Sequence, residues 1–150
     1  MANTYTQLFN HIVFHTTSTG IVMRDEDLNR VFEYIGGIIG TEGAIPFAVG
    51  GVCDHIHILT TLPKTVTMSD FVRAIKAKSS KWLKTLDVYY ESFRWQDGYG
   101  AFSVSNSHVD AVVAYIRGQE EHHKKVSFQD EFRRICELYK AGLDENYAWD

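Results

Sequence analysis

The chain has 150 residues, 45% of them hydrophobic and 23% charged, which is typical of an ordinary globular domain and excludes a disordered or fibrous protein. Its formal net charge of −4 excludes a protein that coats nucleic acid indiscriminately. The two cysteines, Cys53 and Cys136, have no metal-knuckle or disulfide-framework spacing. No signal peptide or membrane-spanning run is readable, so we expect one cytoplasmic domain, with a core over about residues 5–141 and a polar tail over 142–150.

The hydrophobic pattern predicts alternating strands and helices along the whole chain. The strands are predicted at 6–16, 45–51, 53–61 and 100–105, and the helices at about 25–39, 67–86, 107–123 and 128–140. The order β-α-β-β-α-β followed by helices is that of the ferredoxin-like, split βαβ arrangement. We therefore expect an α+β fold, with a four-stranded antiparallel sheet, helices on one face, and an added C-terminal helix that carries Tyr115.

Two local features are predicted at the element boundaries. Gly50 and Gly51 are expected to form a turn or a bulge between the second and third strands. Ser107 is expected to cap the third helix, with Asp110 three residues later as in a capping box.

The pair His55 and His57 lies in the third predicted strand, separated by one residue. Strand side chains alternate, so both imidazoles project from one face and could hold a cation such as Mn²⁺, Zn²⁺ or Ni²⁺ together with a further ligand. The alternative is two incidental histidines bonded to the backbone. Cys53 has the same parity, although a small buried side chain is the commoner role of a lone cysteine. Asp54 is a candidate to orient a ligand, but strand parity directs it away from His55.

The third helix carries polar and aromatic side chains beside its apolar stripe. Tyr115, Gln119 and His122 fall on the same flank, and His123 projects nearer the core side. The alternative for this tyrosine is an ordinary amphipathic surface position, and for the two histidines a solvated helix end.

A basic segment interrupts the acidic chain. Residues 64–84 carry six basic side chains and one acid, a net charge of +5 that leaves −9 elsewhere. Four of them form a basic stripe that could follow a phosphate backbone: Arg73, Lys76, Lys81 and Lys84. The alternative is a solvated helix face. Three nearby aromatics could stack on unpaired bases or belong to the core: Phe93, Trp95 and Tyr99.

Three motifs in this order closely resemble the single-tyrosine HUH transposases, the IS200-like enzymes of small bacterial insertion sequences that move as single-stranded DNA. The motifs are DHIH at 54–57, WQDGYGAFSVS at 95–105 and YIxxQxxHH at 115–123. The resemblance covers about residues 5–141 and implies a divalent metal, Mg²⁺ or Mn²⁺, held by His55, His57 and Gln119, with His122 as an alternative ligand. It also implies that Tyr115 is the nucleophile.

The resemblance further implies cleavage and rejoining of single-stranded DNA at hairpin-marked ends through a 5′-phosphotyrosine intermediate. It implies a homodimer whose active sites could be shared between subunits. The basic helix is our candidate for part of the hairpin-binding surface.

Other function classes remain open at this point. One is a domesticated single-strand endonuclease with the same chemistry. Another is a non-catalytic nucleic-acid-binding module, which would carry base-stacking aromatics where the central strands carry His55 and His57. A structural metal-binding protein would use these histidines but would not need Tyr115.

Overall fold

The structure, a computed structural model, describes residues 3–18 and 20–149. Short 3₁₀ turns at Asp25–Asp27, Val88–Tyr90 and Asn106–His108 accompany the main elements. The strands are β1 (Phe9–His15), β2 (Pro46–Val52), β3 (His55–Thr61) and β4 (Gly100–Val104). The helices are α1 (Leu28–Thr41), α2 (Met68–Leu86), α3 (Val109–Arg117), α4 (Gln119–His122) and α5 (Phe128–Leu138).

The four strands form one antiparallel sheet in the order β2-β3-β1-β4. With two helices on one face, this is the split βαβ arrangement, and the predicted α+β, ferredoxin-like fold is confirmed. In the described ranges, no helix is long and apolar enough to cross a membrane.

Alternation along the two central strands gives the sheet two different faces. Ile12 and Phe14 of β1, with Ile56 and Ile58 of β3, are fully buried against α1 and α2 in the main hydrophobic core. The opposite face of the same strands presents histidines, and α3, α4 and α5 cover it. The apolar face packs in the core, and the polar face is available for a functional site.

The turn between β2 and β3 lies at Cys53 and Asp54, and the prediction of a turn at Gly50 and Gly51 is wrong. Both glycines are strand residues of β2 that pair with β3. Gly51 has a φ of +150°, and a Cβ there would collide with the carbonyl oxygen of His55. A glycine at this position therefore allows the two strands to approach closely. Cys53 therefore does not share the parity of the strand histidines.

The third helix starts and continues differently from the prediction. It follows the 3₁₀ turn Asn106–His108, and among the described residues no side chain caps it, so the Ser107 capping box is wrong. The helix is interrupted at Gly118, after which α4 makes a single separate turn. The last helix, α5, begins at Phe128 and is capped by Ser127, whose hydroxyl accepts a hydrogen bond from the backbone N–H of Asp130.

Candidate active site

Histidines from two neighbouring strands converge on the polar face of the sheet. His55 and His57 are fully buried on β3, and His11 of β1 is almost fully buried beside them. The prediction that His55 and His57 share one face followed from strand alternation, which places the side chains at positions 55 and 57 on the same side.

Each of three imidazoles has its Nδ1 atom engaged and its Nε2 atom directed to the same point. Nδ1 of His55 lies 2.7 Å from Oδ1 of Asp54, and Nδ1 of His123 lies 2.7 Å from the carbonyl oxygen of Val126. Nδ1 of His57 lies 2.7 Å from Nε2 of His11. Hydrogen bonds at Nδ1 orient metal-ligating histidines and leave their Nε2 atoms to bind the ion.

Asp54 contacts His55, contrary to the parity argument. That argument holds only inside a strand, and Asp54 lies in the turn that precedes β3. The hydrogen bond from His55 lowers the pKa of Asp54, against the opposing effect of its partial burial.

The Nε2 atoms meet around the carboxylate of Glu131, which α5 carries into the site. Oε1 of Glu131 lies 2.8 Å from Nε2 of His57, 3.1 Å from Nε2 of His123 and 3.5 Å from Nε2 of His55. One ligand atom from each of these four residues lies within 4.8 Å of the others. The side chains therefore surround a position that suits a single metal ion.

Gln119 and His122, the predicted third ligand and its alternative, lie at this cluster. Oε1 of the buried Gln119 is 3.0 Å from Nε2 of His55, and its amide group donates a hydrogen bond of 3.0 Å to Oε2 of Glu131. Nε2 of His122 is 3.1 Å from Oε2 of Glu131 but has no hydrogen-bond partner of good geometry among the described residues. Gln119 faces the ligand cluster, whereas His122 lies at its outer edge.

Sequence reasoning missed Glu131 and His11 and left His123 without a role. A signal for Glu131 existed, because it shares the apolar face of α5 with Phe128 and Ile135, where a carboxylate needs polar partners. His11 also carried a signal, since strand alternation in β1 directs its side chain away from the apolar core formed by Ile12.

Tyr115 points from α3 at the same carboxylate. Its hydroxyl donates a hydrogen bond to Oε2 of Glu131, and its ring centroid lies 5.7 Å from that of His57. Burial and this hydrogen bond raise the pKa of Tyr115 above its usual value. The site therefore holds the tyrosine as a neutral phenol beside the ligand cluster.

The electrostatics of the cluster favour neutral forms of His11 and His57 beside an ionised carboxylate, whereas the hydrogen bond to Glu131 raises the pKa of His123 against the effect of burial. Burial lowers the pKa of His11 to about 3 and that of His57 to about 4. Burial alone would raise the pKa of Glu131, but hydrogen bonds from His123, His57 and Tyr115 lower it well below its usual range. A metal ion needs neutral imidazole and ionised carboxylate ligands, which are the states favoured for His57 and Glu131.

The donor set fits a divalent transition metal. Neutral imidazoles suit borderline ions such as Mn²⁺ and Zn²⁺, and the carboxylate and amide oxygens suit Mn²⁺ and Mg²⁺. The engaged Nδ1 atoms of His55, His57 and His123 are the observation that supports this fit.

The basic stripe on α2 lies on the opposite face of the sheet from this cluster. Arg73, Lys81 and Lys84 are exposed, and Arg73 also pairs with Asp70 at 3.0 Å. Lys76 does not belong to an exposed stripe, because its ammonium donates hydrogen bonds to the carbonyl oxygens of residues 96 and 98. Partial burial lowers the pKa of Lys76 to about 8.

The aromatic side chains near α2 have separate roles. Phe93 and Trp95 are buried in the core, where their rings pack edge to face 4.9 Å apart, so base stacking by these two is excluded. Tyr99 is partly exposed and lies beside Lys76.

Two solved structures with a similar fold carry the descriptions of a candidate transposase and a tyrosine transposase. A candidate transposase from Deinococcus radiodurans R1 is 20% identical, with a TM-score of 0.61, and the match covers 79% of this chain and 95% of that one. A REP-associated tyrosine transposase bound to a REP hairpin is 15% identical, with a TM-score of 0.58, and the match covers 84% of this chain and 74% of that one. At these identities the likeness concerns the fold.

The sequence has no significant match among curated proteins. The family model described as "Transposase IS200 like" matches residues 4–119, from before β1 to the first residue of α4. This range contains the histidine pair, Tyr115 and Gln119, and it ends before His123 and Glu131. The chain therefore belongs to the IS200-like transposase family.

Proposed function

We propose that the protein is a transposase that cleaves and rejoins single-stranded DNA at the hairpin-marked ends of a mobile element, with Tyr115 as its nucleophile. The observation that carries this proposal is the shared carboxylate of Glu131, which contacts the Tyr115 hydroxyl with one oxygen and Nε2 of two histidines, His57 and His123, with the other. A nucleophile and a metal-ligand cluster in contact are what metal-assisted phosphoryl transfer needs.

The proposed reaction conserves the energy of the phosphodiester bond. The Tyr115 oxygen forms a bond to phosphorus, and the bond between phosphorus and the 3′-oxygen of the preceding nucleotide breaks. The products are a 5′-phosphotyrosine and a free 3′-OH, and the proton lost by the phenol balances the proton gained by the 3′-oxygen. The reverse reaction with another 3′-OH joins strands without ATP.

His55, His57 and His123, with Glu131 and Gln119, are the residues that would hold the divalent ion, Mg²⁺ or Mn²⁺. When bound, the ion polarises the scissile phosphate and stabilises negative charge on the leaving oxygen. The chain's own residues prepare this site, since Asp54 and His11 fix the imidazole rings by the hydrogen bonds described above.

Hairpin DNA is the substrate class that we propose. The structural neighbour bound to a REP hairpin supports this choice. The exposed Arg73, Lys81 and Lys84 offer positive charge for a phosphate backbone. We further propose that the chain acts as a homodimer, which would present two hairpin-binding surfaces to the two ends of an element.

The test is incubation of the protein with labelled single-stranded hairpin DNA from the element ends and Mn²⁺, followed by mass spectrometry of the intact protein and its peptides. We expect a covalent nucleotide adduct on Tyr115, which is lost in Tyr115→Phe while hairpin binding persists. Tyr5→Phe, at an exposed tyrosine, is the matched control and should retain the adduct. His55→Ala should abolish the adduct by weakening metal binding.

The outcome also separates the alternatives. Tight hairpin binding by the wild-type protein without any adduct would contradict the proposal and favour a non-catalytic binding module. An adduct undiminished in Tyr115→Phe would exclude this tyrosine as the nucleophile.

A further inference from the structure

A groove between α1 and α2 lies on the side of the sheet opposite the metal-ligand cluster. Its volume is about 560 Å³, and its lining comes from these two helices, with Tyr34 and Gly37 on α1 and Lys78 and Trp82 on α2. The two helices cover the apolar face of the sheet, whereas Tyr115 lies on the polar face. This α1–α2 groove is therefore separate from the candidate active site.

Two aromatic rings form a flat stack in the α1–α2 groove. Tyr34 and Trp82 lie nearly parallel, with an interplanar angle of 8° and 4.3 Å between ring centroids. Both rings line the groove, and Tyr34 is 39% exposed. A nucleobase is a flat ring that stacks on aromatic side chains whatever its sequence. Unlike Phe93 and Trp95, which are buried in the core, this pair is accessible to a base.

Basic side chains lie beside the aromatic stack. The guanidinium of the exposed Arg30 lies 5.9 Å from the ring centroid of Trp82. Lys78 precedes Trp82 by four residues, so both side chains lie on the same side of α2. Lys78 also pairs with Glu42 at 2.6 Å, and Glu33 adds one acid to the lining. Arg30 is thus the cation best placed to contact a phosphate at the groove.

The groove is continuous with the exposed lysines of α2. At about 100° per residue, Lys81 lies about 60° and Lys84 about 120° round the helix from Lys78. A strand whose phosphates follow these lysines can turn an unpaired base into the groove. Positive charge along the backbone together with an aromatic stacking surface is the combination that binds single-stranded nucleic acid.

The floor of the groove contains a glycine that the fold does not require. Gly37 lies within α1, and a Cβ added there would meet no atom within 4 Å. A glycine inside a helix is destabilising relative to alanine, but it allows a ligand to approach the backbone closely. The absent side chain leaves a flat surface beside Tyr34, on which a base has room to lie.

From these observations we infer that the α1–α2 groove binds an unpaired base of single-stranded DNA, which stacks on the Tyr34 and Trp82 pair while Arg30 and the lysines of α2 contact the adjoining phosphates. The inference rests on the proposed function for DNA as the ligand. It adds a binding site on the side of the sheet away from Tyr115, and it requires neither a metal ion nor cleavage.

The first test compares the affinities of two fluorescein-labelled strands in EDTA, measured by fluorescence anisotropy. One is an oligothymidylate, and the other has the same backbone with abasic sugars. We expect the wild-type protein to bind the oligothymidylate about 5- to 100-fold more tightly, the range that stacking of one base supports. Equal affinity for the two strands would overturn the inference and leave the proposed cleavage reaction intact.

Two substitutions test the location of the base. Trp82→Ala removes one ring of the stack, and Gly37→Leu fills the groove from a position with open space around its Cβ. Each should remove most of the preference for the oligothymidylate. Gly40→Leu, at an exposed glycine of the same helix outside the groove, is the matched control and should keep it. A preference that persists in Gly37→Leu would overturn the location, even where Trp82→Ala fails to fold.

Tryptophan fluorescence provides a measurement at the site itself. A base stacked on Trp82 quenches its emission, whereas Trp95 is buried in the core. We expect the oligothymidylate to quench the emission of the wild-type protein and of the control Trp149→Phe. The quenching should be lost in Trp82→Phe, which keeps an aromatic ring for binding. Undiminished quenching in Trp82→Phe would show that the base stacks elsewhere.

Further outcomes separate stacking from other uses of the groove. The slope of log K against log salt should be the same in Trp82→Ala as in wild type, because stacking releases no counterions. Concentration-dependent dimers that Gly37→Leu abolishes, with the base preference retained, would assign the groove to a second copy of the chain and overturn the inference. A wild-type protein that shows the base preference but forms no adduct on Tyr115 would contradict the proposed function alone.

Discussion

His11 and His57 form a hydrogen bond between rings on adjacent strands, with 2.7 Å between Nε2 of His11 and Nδ1 of His57. Both side chains emerge on the polar face of the sheet, where β1 and β3 pair antiparallel. The contact fixes the ring of His57 so that its Nε2 atom faces the carboxylate of Glu131. His11, which is not part of the His55 and His57 motif, thus sets the orientation of His57.

Replacing His11 should therefore weaken metal binding without removing a ligand. We expect His11→Ala to lower the affinity for Mn²⁺ by about 10- to 100-fold, the usual effect of losing a residue that orients a ligand. Isothermal titration calorimetry measures this change. His108→Ala, at an exposed histidine, is the control, and an unchanged affinity in His11→Ala would contradict the expectation.

The metal preference of the site follows from its donors. Three imidazoles favour ions later in the transition series, whereas Mg²⁺ prefers oxygen ligands and retains its waters. We expect Mn²⁺ to bind at least about ten-fold more tightly than Mg²⁺, and Zn²⁺ more tightly still. Competition titrations give this order, and loss of Mn²⁺ binding in His57→Ala locates it. Mg²⁺ binding as tight as Mn²⁺ binding would contradict the assigned donor set.

The metal-free protein should lose stability in mild acid. The pKa values of His11, about 3, and of His57, about 4, lie below the ordinary value of 6.5, so the unfolded chain takes up protons first as the pH falls. The lowered pKa of Glu131 acts in the same direction at lower pH, whereas the raised pKa of His123 changes stability only above pH 6.5, outside this interval. We expect the free energy of unfolding in EDTA to fall from pH 6.5 to about pH 4.

Urea denaturation at a series of pH values measures this dependence. His11→Asn should reduce the slope, because it removes one buried imidazole, and His108→Ala should leave it unchanged. A free energy of unfolding that stays constant or rises over this interval would contradict the burial of neutral imidazoles.

Two glycines should respond in opposite directions to alanine. Gly50→Ala places a methyl group 2.7 Å from the Ile116 carbonyl oxygen, and we expect a loss of about 1–3 kcal/mol, typical of overpacking. Gly37 lies within α1, where an added methyl group would meet no atom within 4 Å, so Gly37→Ala should gain about 0.5–1 kcal/mol. Chemical denaturation compares the stability of both variants with that of wild type. Equal effects would contradict the close approach of α3 to Gly50.

The lysines of α2 should also separate into two classes. Lys76 holds the carbonyl oxygens of residues 96 and 98, so Lys76→Ala should lower the free energy of unfolding by about 1–3 kcal/mol. Lys84→Ala should leave stability unchanged and reduce the salt dependence of hairpin binding, with the slope of log K against log salt falling by about 0.7–0.9 per lost phosphate contact. Equal stability of the two variants would contradict the structural role of Lys76.

Periodic features of the sequence predicted the scaffold. Helical spacing predicted α2 over 67–86, and the structure begins it at Met68, with Thr67 as the capping residue. Strand alternation placed His55 and His57 on one face because residues two apart in a strand point the same way. These features depend on near neighbours in the chain, which a sequence displays directly.

Features that depend on distant contacts could not be predicted in this way. Glu131 meets His57 across 74 positions of the chain, and nothing in local spacing specifies how α5 docks on the sheet. Helical periodicity placed Lys76 outside the apolar stripe but could not show that a loop at 96–98 packs against that side. Parity failed for Asp54 because the turn position depends on the register of β2 against β3.

The separation of the two faces of the sheet has a consequence for the path of DNA. The exposed lysines of α2 and the Tyr115 hydroxyl lie on opposite sides of the sheet and its packed core. A single strand that touches both must bend round a sheet edge. Under the proposed function, hairpin binding and strand cleavage would then take place on different sides of the protein. The hairpin would stay bound while the cleaved end is released to meet another strand.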